Sequence, residues 1–240
     1  MKIKLSLKLR EFCIAQFAIV TVVIALGLFA SVFTNLTGHS SVFGFLRLLN
    51  VSSEQSIPTY VSVINLLLAS ILIFIIYSYE KTNKQNGAGY WLFLSILFLY
   101  LSIDESASIH EKFGNIHAYL VREEFIPQIL HTYSWIAFGV FFVFAVSIVL
   151  LPFVRKLPTD TRRYFLIAGC VFVTGAIGFE YLGAWMLETG VVESRQDMTH
   201  LVRRLFEEGF EMYGVVIFNC ALYREIVRRK ISVIISGEQK

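Results

Sequence analysis

Six long apolar stretches divide the chain: Phe12–Phe33, Tyr60–Ser78, Tyr90–Glu111, His131–Val154, Arg163–Met186 and Thr199–Tyr223. Each is about 20 residues or more, enough at ~1.5 Å rise per residue to cross ~30 Å of hydrocarbon. Apolar residues run continuously within each stretch instead of alternating. That predicts helices and not barrel strands. No internal repeat, low-complexity tract or linker sets off a second unit. The expected fold is all-α, a polytopic membrane helix bundle of six transmembrane helices. Residues 1–240 form a single integral-membrane domain.

The first stretch follows Lys2, Lys4, Lys8 and Arg10. Its apolar part is longer than the ~7–15 residues of a signal-peptide core, so it reads as a retained helix. Placing the N-terminus inside puts fifteen of the 21 Lys and Arg on inner segments. Only Arg47, Lys112, Arg122, Arg195, Arg203 and Arg204 fall outside. This bias predicts cytoplasmic N- and C-termini. Among the outer connections, Ser41–Leu49 suits either a short interfacial helix or a loop over the bundle, and Asn115–Gln128 is the second long one. Ser56 and Pro58 form a cap and first-turn signal for the second span.

Composition agrees with the pattern. Apolar residues make up 56% and charged residues 16%, with mean hydropathy +0.65. A soluble domain carries roughly 25% charged residues. The lipid bilayer is therefore the main partner expected. The net charge of +3 has no basic tract behind it, so no nucleic-acid partner is expected. Cys13, Cys170 and Cys220 lie toward the cytoplasmic half and lack metal-ligand spacing, which predicts buried free thiols and no disulfide.

Ionisable residues inside the spans carry the functional information, because each is costly in lipid. Span three holds Asp104, Glu105, His110 and Glu111, and span five holds Glu180. Span six holds His200, Arg203, Arg204, Glu207, Glu208 and Glu211, and His131 opens span four. All fall in the outer half of the bilayer. With about 100° per residue, Asp104, Ser108 and Glu111 share one stripe of span three. His200, Arg203, Glu207, Glu211 and Gly214 share one of span six, which continues inward as Phe218 and Leu222. This predicts a pit open to the outside and closed below by apolar packing.

Seven acids face only Arg203, Arg204 and Lys112, leaving about four negative charges uncompensated. Buried carboxylates without partners are neutralised by protons, by pairing or by metal. Hard oxygens plus imidazole suit a divalent metal ion such as Zn, Fe or Mn. The expected ligands are Asp104, His110, Glu111, His200, Glu207 and Glu211, with Glu180 and Glu208 as acid–base groups. The Glu-x-x-His pairs of di-iron bundles, His-Glu-x-x-His, Gly-x-Ser-x-Gly and phosphate-cradling loops are all absent.

A structural reading stands beside this one. Arg203–Glu207 and Arg204–Glu208 are four-residue helix pairs that neutralise each other. Trp91, Trp135 and Trp185 suit aromatic-belt anchors, and Gly175, Gly178 and Gly183 suit close helix packing. His39 and His117 read as solvated loop residues.

The stretches Asn50–Thr59 (NVSSEQSIPT), Leu101–Glu111 (LSIDESASIHE), Glu180 and Glu207–Gly214 (EEGFEMYG) resemble an uncharacterised family of bacterial six-span membrane proteins. That resemblance brings no activity. It implies the bacterial inner (cytoplasmic) membrane and draws in Glu54 beside the pit mouth. The carboxylates and histidines also resemble metal-dependent membrane hydrolases of the alkaline ceramidase type. This chain departs from them in having six spans instead of seven and no paired histidines on the last helix.

Three functions are therefore expected. The first is a metal-dependent, hydrolase-like membrane enzyme acting on a lipid or lipid-linked substrate, with metal-bound water as nucleophile. The second is a proton- or cation-coupled transporter. The third is a non-catalytic assembly or accessory subunit.

Overall fold

The structure, a computed structural model, describes residues 2–3, 8–39, 41–51, 53, 55–125, 134–194, 197–232 and 235–236. The elements are α1 (Leu9–Thr37), α2 (Phe45–Leu49), α3 (Ile57–Thr82), α4 (Ala88–Ala107), α5 (Ile109–Arg122) and α6 (Ser134–Lys156). Next come α7 (Thr159–Val173), a π-helical segment (Thr174–Phe179), α8 (Glu180–Glu188) and α9 (Met198–Arg228). Among the described residues, five helical stretches are long and apolar enough to cross a membrane: Leu9–Thr37, Ile57–Thr82, Ala88–Ala107, Trp135–Lys156 and Thr159–Glu188. The chain is a multi-pass membrane protein by this criterion. At the chain ends Lys2–Ile3 pairs antiparallel with Ile235–Ser236, so both ends meet at one end of the bundle, here called the termini end.

Charged α9 is the axle. It packs against α1, α3, α7 and the π segment, and its buried side chains run from His200 to Ile226. Its apolar half belongs to the main core. There Trp91 lies edge-on to Phe153 (5.0 Å) and Phe165 (6.1 Å), and Phe98 stacks on Phe218 at 4.7 Å. Trp91, 1% exposed, is thus a core residue and not a belt anchor; Trp185 is 43% exposed at the surface.

Two local expectations change. Span three does not run unbroken to Glu111. It stops at Ala107, where Ser108 adopts the left-handed conformation (φ 48°, ψ 45°), and α5 begins at Ile109. Asp104 rewards the break: its carbonyl accepts from Ser108 N at 2.7 Å and its carboxylate from His110 N at 2.7 Å. Asp104, Ser108 and Glu111 therefore do not share one helical stripe. α5 is amphipathic, with Ile109, Phe113, Ile116 and Leu120 at helical spacing, and it fills most of the expected outer connection. Span five is continuous over Thr159–Glu188, but with one widened turn at Thr174–Phe179. The Ser41–Leu49 segment forms the short helix α2, which buries Leu46 and leaves Phe45 exposed. Ser56 caps α3, its hydroxyl accepting from Thr59 N.

Candidate functional site

The acid residues of α9 face the widened turn. Arg203 sits at the centre, its side chain 4% exposed. It donates to the Phe179 carbonyl at 2.6 Å, pairs with Glu207, and lies 3.8 Å from Glu180. Gly183 makes room for it: a Cβ there would fall 2.5 Å from the guanidinium carbon. Gly175 does the same for α9 itself, since a Cβ would fall 2.8 Å from the Glu211 nitrogen. The wide π turn, a feature often found at functional sites, lets α7–α8 follow α9 at this distance.

Around this centre the carboxylates crowd one another. Glu180 and Glu207 both stand beside the Arg203 guanidinium. Glu208 and Glu211 stand within electrostatic reach of Glu105, Glu180 and Glu207. Glu105, from α4, lies next to Ser62 of α3. Arg204 acts on Glu207 and Glu208 through space, but it forms no ion pair among the described residues. Glu105, Glu207, Glu208 and Glu211 are half-buried, enclosed by protein with an open face. Five carboxylates thus share one layer with two arginines.

A second group adjoins it. The α4–α5 break folds His110 back onto Asp104, ring Nδ1 to carboxylate at 2.9 Å. Such a carboxylate fixes the imidazole tautomer and leaves Nε2 as the acceptor or ligand. The His110 ring packs 5.0 Å from Trp135, whose indole N–H donates to Glu180 at 3.4 Å. Asp104, His110, Trp135, Glu180, Arg203 and Glu207 therefore form one connected line across α4, α5, α6, α8 and α9.

Residues 15–226 match the model of a domain of unknown function, DUF8692. The chain belongs to the DUF8692 family. No curated protein and no solved structure matches it.

The DUF8692 chain brings together most of the acids singled out from its sequence. Glu180, Glu207, Glu208 and Glu211 share the layer, and Glu105 joins them. Asp104 and His110 pair beside it. His200 is buried on α9 one turn before Arg203. The Glu111 side chain, His131 and Glu54 lie outside the described residues. Among the described residues no three of His, Cys, Asp and Glu converge as a metal-ligand set. Of the helix pairs, Arg203–Glu207 forms. Of the three glycines, Gly175 and Gly183 make close approaches, whereas Gly178 meets only Thr174 at 3.6 Å.

Sequence reasoning missed Trp135 and Ser62 as partners, because an indole and a hydroxyl on apolar helices carry no charge signal. It also missed a second polar cluster at the termini end, where Glu80, Glu225, Arg228 and Arg229 meet. Two acids flanking otherwise apolar helices were the available sign.

Proposed function

We propose that this is a six-span integral-membrane enzyme, hydrolase-like, that acts on a lipid or lipid-linked substrate from the extracytoplasmic side of a bacterial inner membrane. Two observations support six crossings: the ends pair at one end of the bundle, which favours an even number, and α9 is long enough to add one to the five apolar stretches. The excess of Lys and Arg toward that side supports a cytoplasmic placement. The acid layer then faces the outer leaflet, at the depth of lipid headgroups.

The observation that carries the reading is the acid layer with too few cations. Such a layer holds protons and attracts a positive charge. Glu180 and Glu207, side by side on Arg203, are proposed to supply acid and base within one site. The Asp104–His110 pair offers a second base with a fixed tautomer. A divalent ion (Zn, Fe or Mn) is the compensating charge proposed; it would take Glu207 and Glu211 as donors and would have to draw further groups in, since no three ligands converge among the described residues. Once bound, it would lower the pKa of a coordinated water. Elemental analysis of purified protein tests this. About one divalent ion per chain is expected, lost in Glu211→Gln with the fold intact. Metal-free protein that still hydrolyses lipid would leave the acid–base centre and remove the ion. Inertness toward lipid substrates in both forms removes the enzyme.

A second reading, proton- or cation-coupled transport, draws on the crowding of Glu180, Glu207, Glu208 and Glu211 in one layer, since intramembrane carboxylates also suit a carrier. Flux into proteoliposomes that depends on Glu207 would favour it.

A further inference from the structure

Three amide side chains lie at one level in the middle of the bundle, and the acid layer does not use them. Val20 of α1, Val61 of α3 and Val216 of α9 pack together. One helical turn closer to the termini end, the same three helices carry Gln16, Asn65 and the pair Asn219–Cys220. Contacts along α1 and α9 confirm the level. The Thr21 and Tyr213 hydroxyls lie 2.8 Å apart on one side of it, and Phe12 stacks on Tyr223 at 4.4 Å on the other. Asn219 Nδ2 donates to the Asn65 carbonyl at 3.1 Å, joining α9 to α3.

The other ends of these amides are unsatisfied. Among the described residues, Gln16 Oε1, Asn65 Nδ2 and Asn219 Oδ1 are buried without a hydrogen-bond partner. Asn219 is 0% and Asn65 5% exposed. Lipid tails satisfy no such group, so orphans at this depth are costly. The set is two acceptors and one donor. Its complement is a ligand that donates twice and accepts once, which describes water. A bare cation would meet the Asn65 N–H group head-on.

We propose that Gln16, Asn65 and Asn219 form a binding site for one internal water molecule at the core of the bundle. The site continues the acid layer. Ser62, next to Glu105, is three residues from Asn65 on α3, about 4.5 Å along the axis. Beyond the site toward the termini end come Leu72, Ile73, Ile76 and Leu222, all buried and apolar. Hydration thus reaches inward from the carboxylates and stops at a dry plug, without opening a path through the membrane.

Radiolytic hydroxyl labelling of the intact protein tests the site, because radicals form at bound water and oxidise adjacent side chains. Cys220, next to Asn219, is the reporter; exposed Cys170 is the control. Labelling of Cys220 should fall about tenfold in the Asn65→Leu/Asn219→Leu double variant, with Cys170 unchanged. If the double variant fails to fold, Gln16→Leu serves with the same readout. Unchanged Cys220 labelling in a folded variant overturns the proposal. So does a thermal midpoint that rises in sodium over choline and loses that rise in the variant, which would mark a cation site. Glu211→Gln removes a layer carboxylate and leaves this labelling in place, so failure of the enzyme reading and failure of the water site are told apart.

Discussion

Helix α9 carries a charged cluster at each end, and the two are built on opposite plans. At the termini end Glu225, with 0% side-chain exposure, accepts from Thr161 at 2.9 Å and from Arg228 at 2.6 and 3.0 Å. Arg229 bridges Glu225 to Glu80 and lies over the Trp91 ring. Two acids meet two arginines, and their oxygens are used. At the other end five carboxylates crowd around Arg203 and Arg204. A matched network joins α3, α4, α7 and α9 and has no need of a ligand. An unmatched one is stable only with protons or a bound cation, which is the property a chemical centre requires. Within a single helix, charge balance separates scaffold from site.

Substitutions should separate the two clusters by size of effect. Arg229→Met leaves Glu80 and Glu225 buried with too little positive charge, and it should destabilise by about 3–5 kcal/mol. Thermal unfolding in detergent measures this, and ion content at the far cluster should be unchanged. Gly183→Ala drives a methyl into the Arg203 guanidinium and should cost about 1–3 kcal/mol by the same measurement. It should also disturb ion or substrate binding, since Arg203 holds Glu180 and Glu207 in register. Glu211→Gln should change stability by less than about 1 kcal/mol, or raise it, because it relieves like-charge crowding. A loss as large as that of Arg229→Met would mean that the acid layer is scaffold after all. Arg224→Ala breaks the exposed pair with Asp160 and the contact with the Tyr164 ring, and should cost about 0–1 kcal/mol.

The pH dependence divides the same way. Burial pushes the Glu225 carboxyl up, but hydrogen bonds from Arg228 and Arg229 outweigh it and hold the group below the ordinary carboxylate range. The unfolded chain then binds a proton more readily than the folded one. The stability from this group is complete above the ordinary carboxylate range and is lost as pH falls through the lowered folded value. Wild-type protein should lose thermal midpoint on acidification, and Glu225→Gln should lose less. Equal acid sensitivity in both would show that the termini-end network is not the titrating element.

Apolar runs made the five membrane stretches legible, and carboxylates on three separate stretches made the acid layer legible. The break at Ser108 was not. No Gly or Pro marks it, and the left-handed Ser108 is tolerated because Asp104 satisfies both the Ser108 turn and the His110 backbone. Phase counting across that point placed Glu111 on the wrong footing. The π turn was hidden for a similar reason: TGAIGF reads as ordinary small-residue packing until α9 is laid against it. Trp91 shows the limit of the belt rule, since a tryptophan near a span end is also a good core residue where Phe153, Phe165 and Arg229 surround it.

Hydrophobic periodicity and the expense of charge in lipid are properties of single stretches. The chain alone therefore told which segments enter the membrane and which residues are too costly there to be idle. Which acids find arginines, which amides are left without partners and where a helix bends are properties of pairs drawn from distant segments. Those were settled only when α3, α4, α7 and α8 closed around α9, because hydrogen bonds and ion pairs act over a few ångströms and depend on which side chains the packing brings that close.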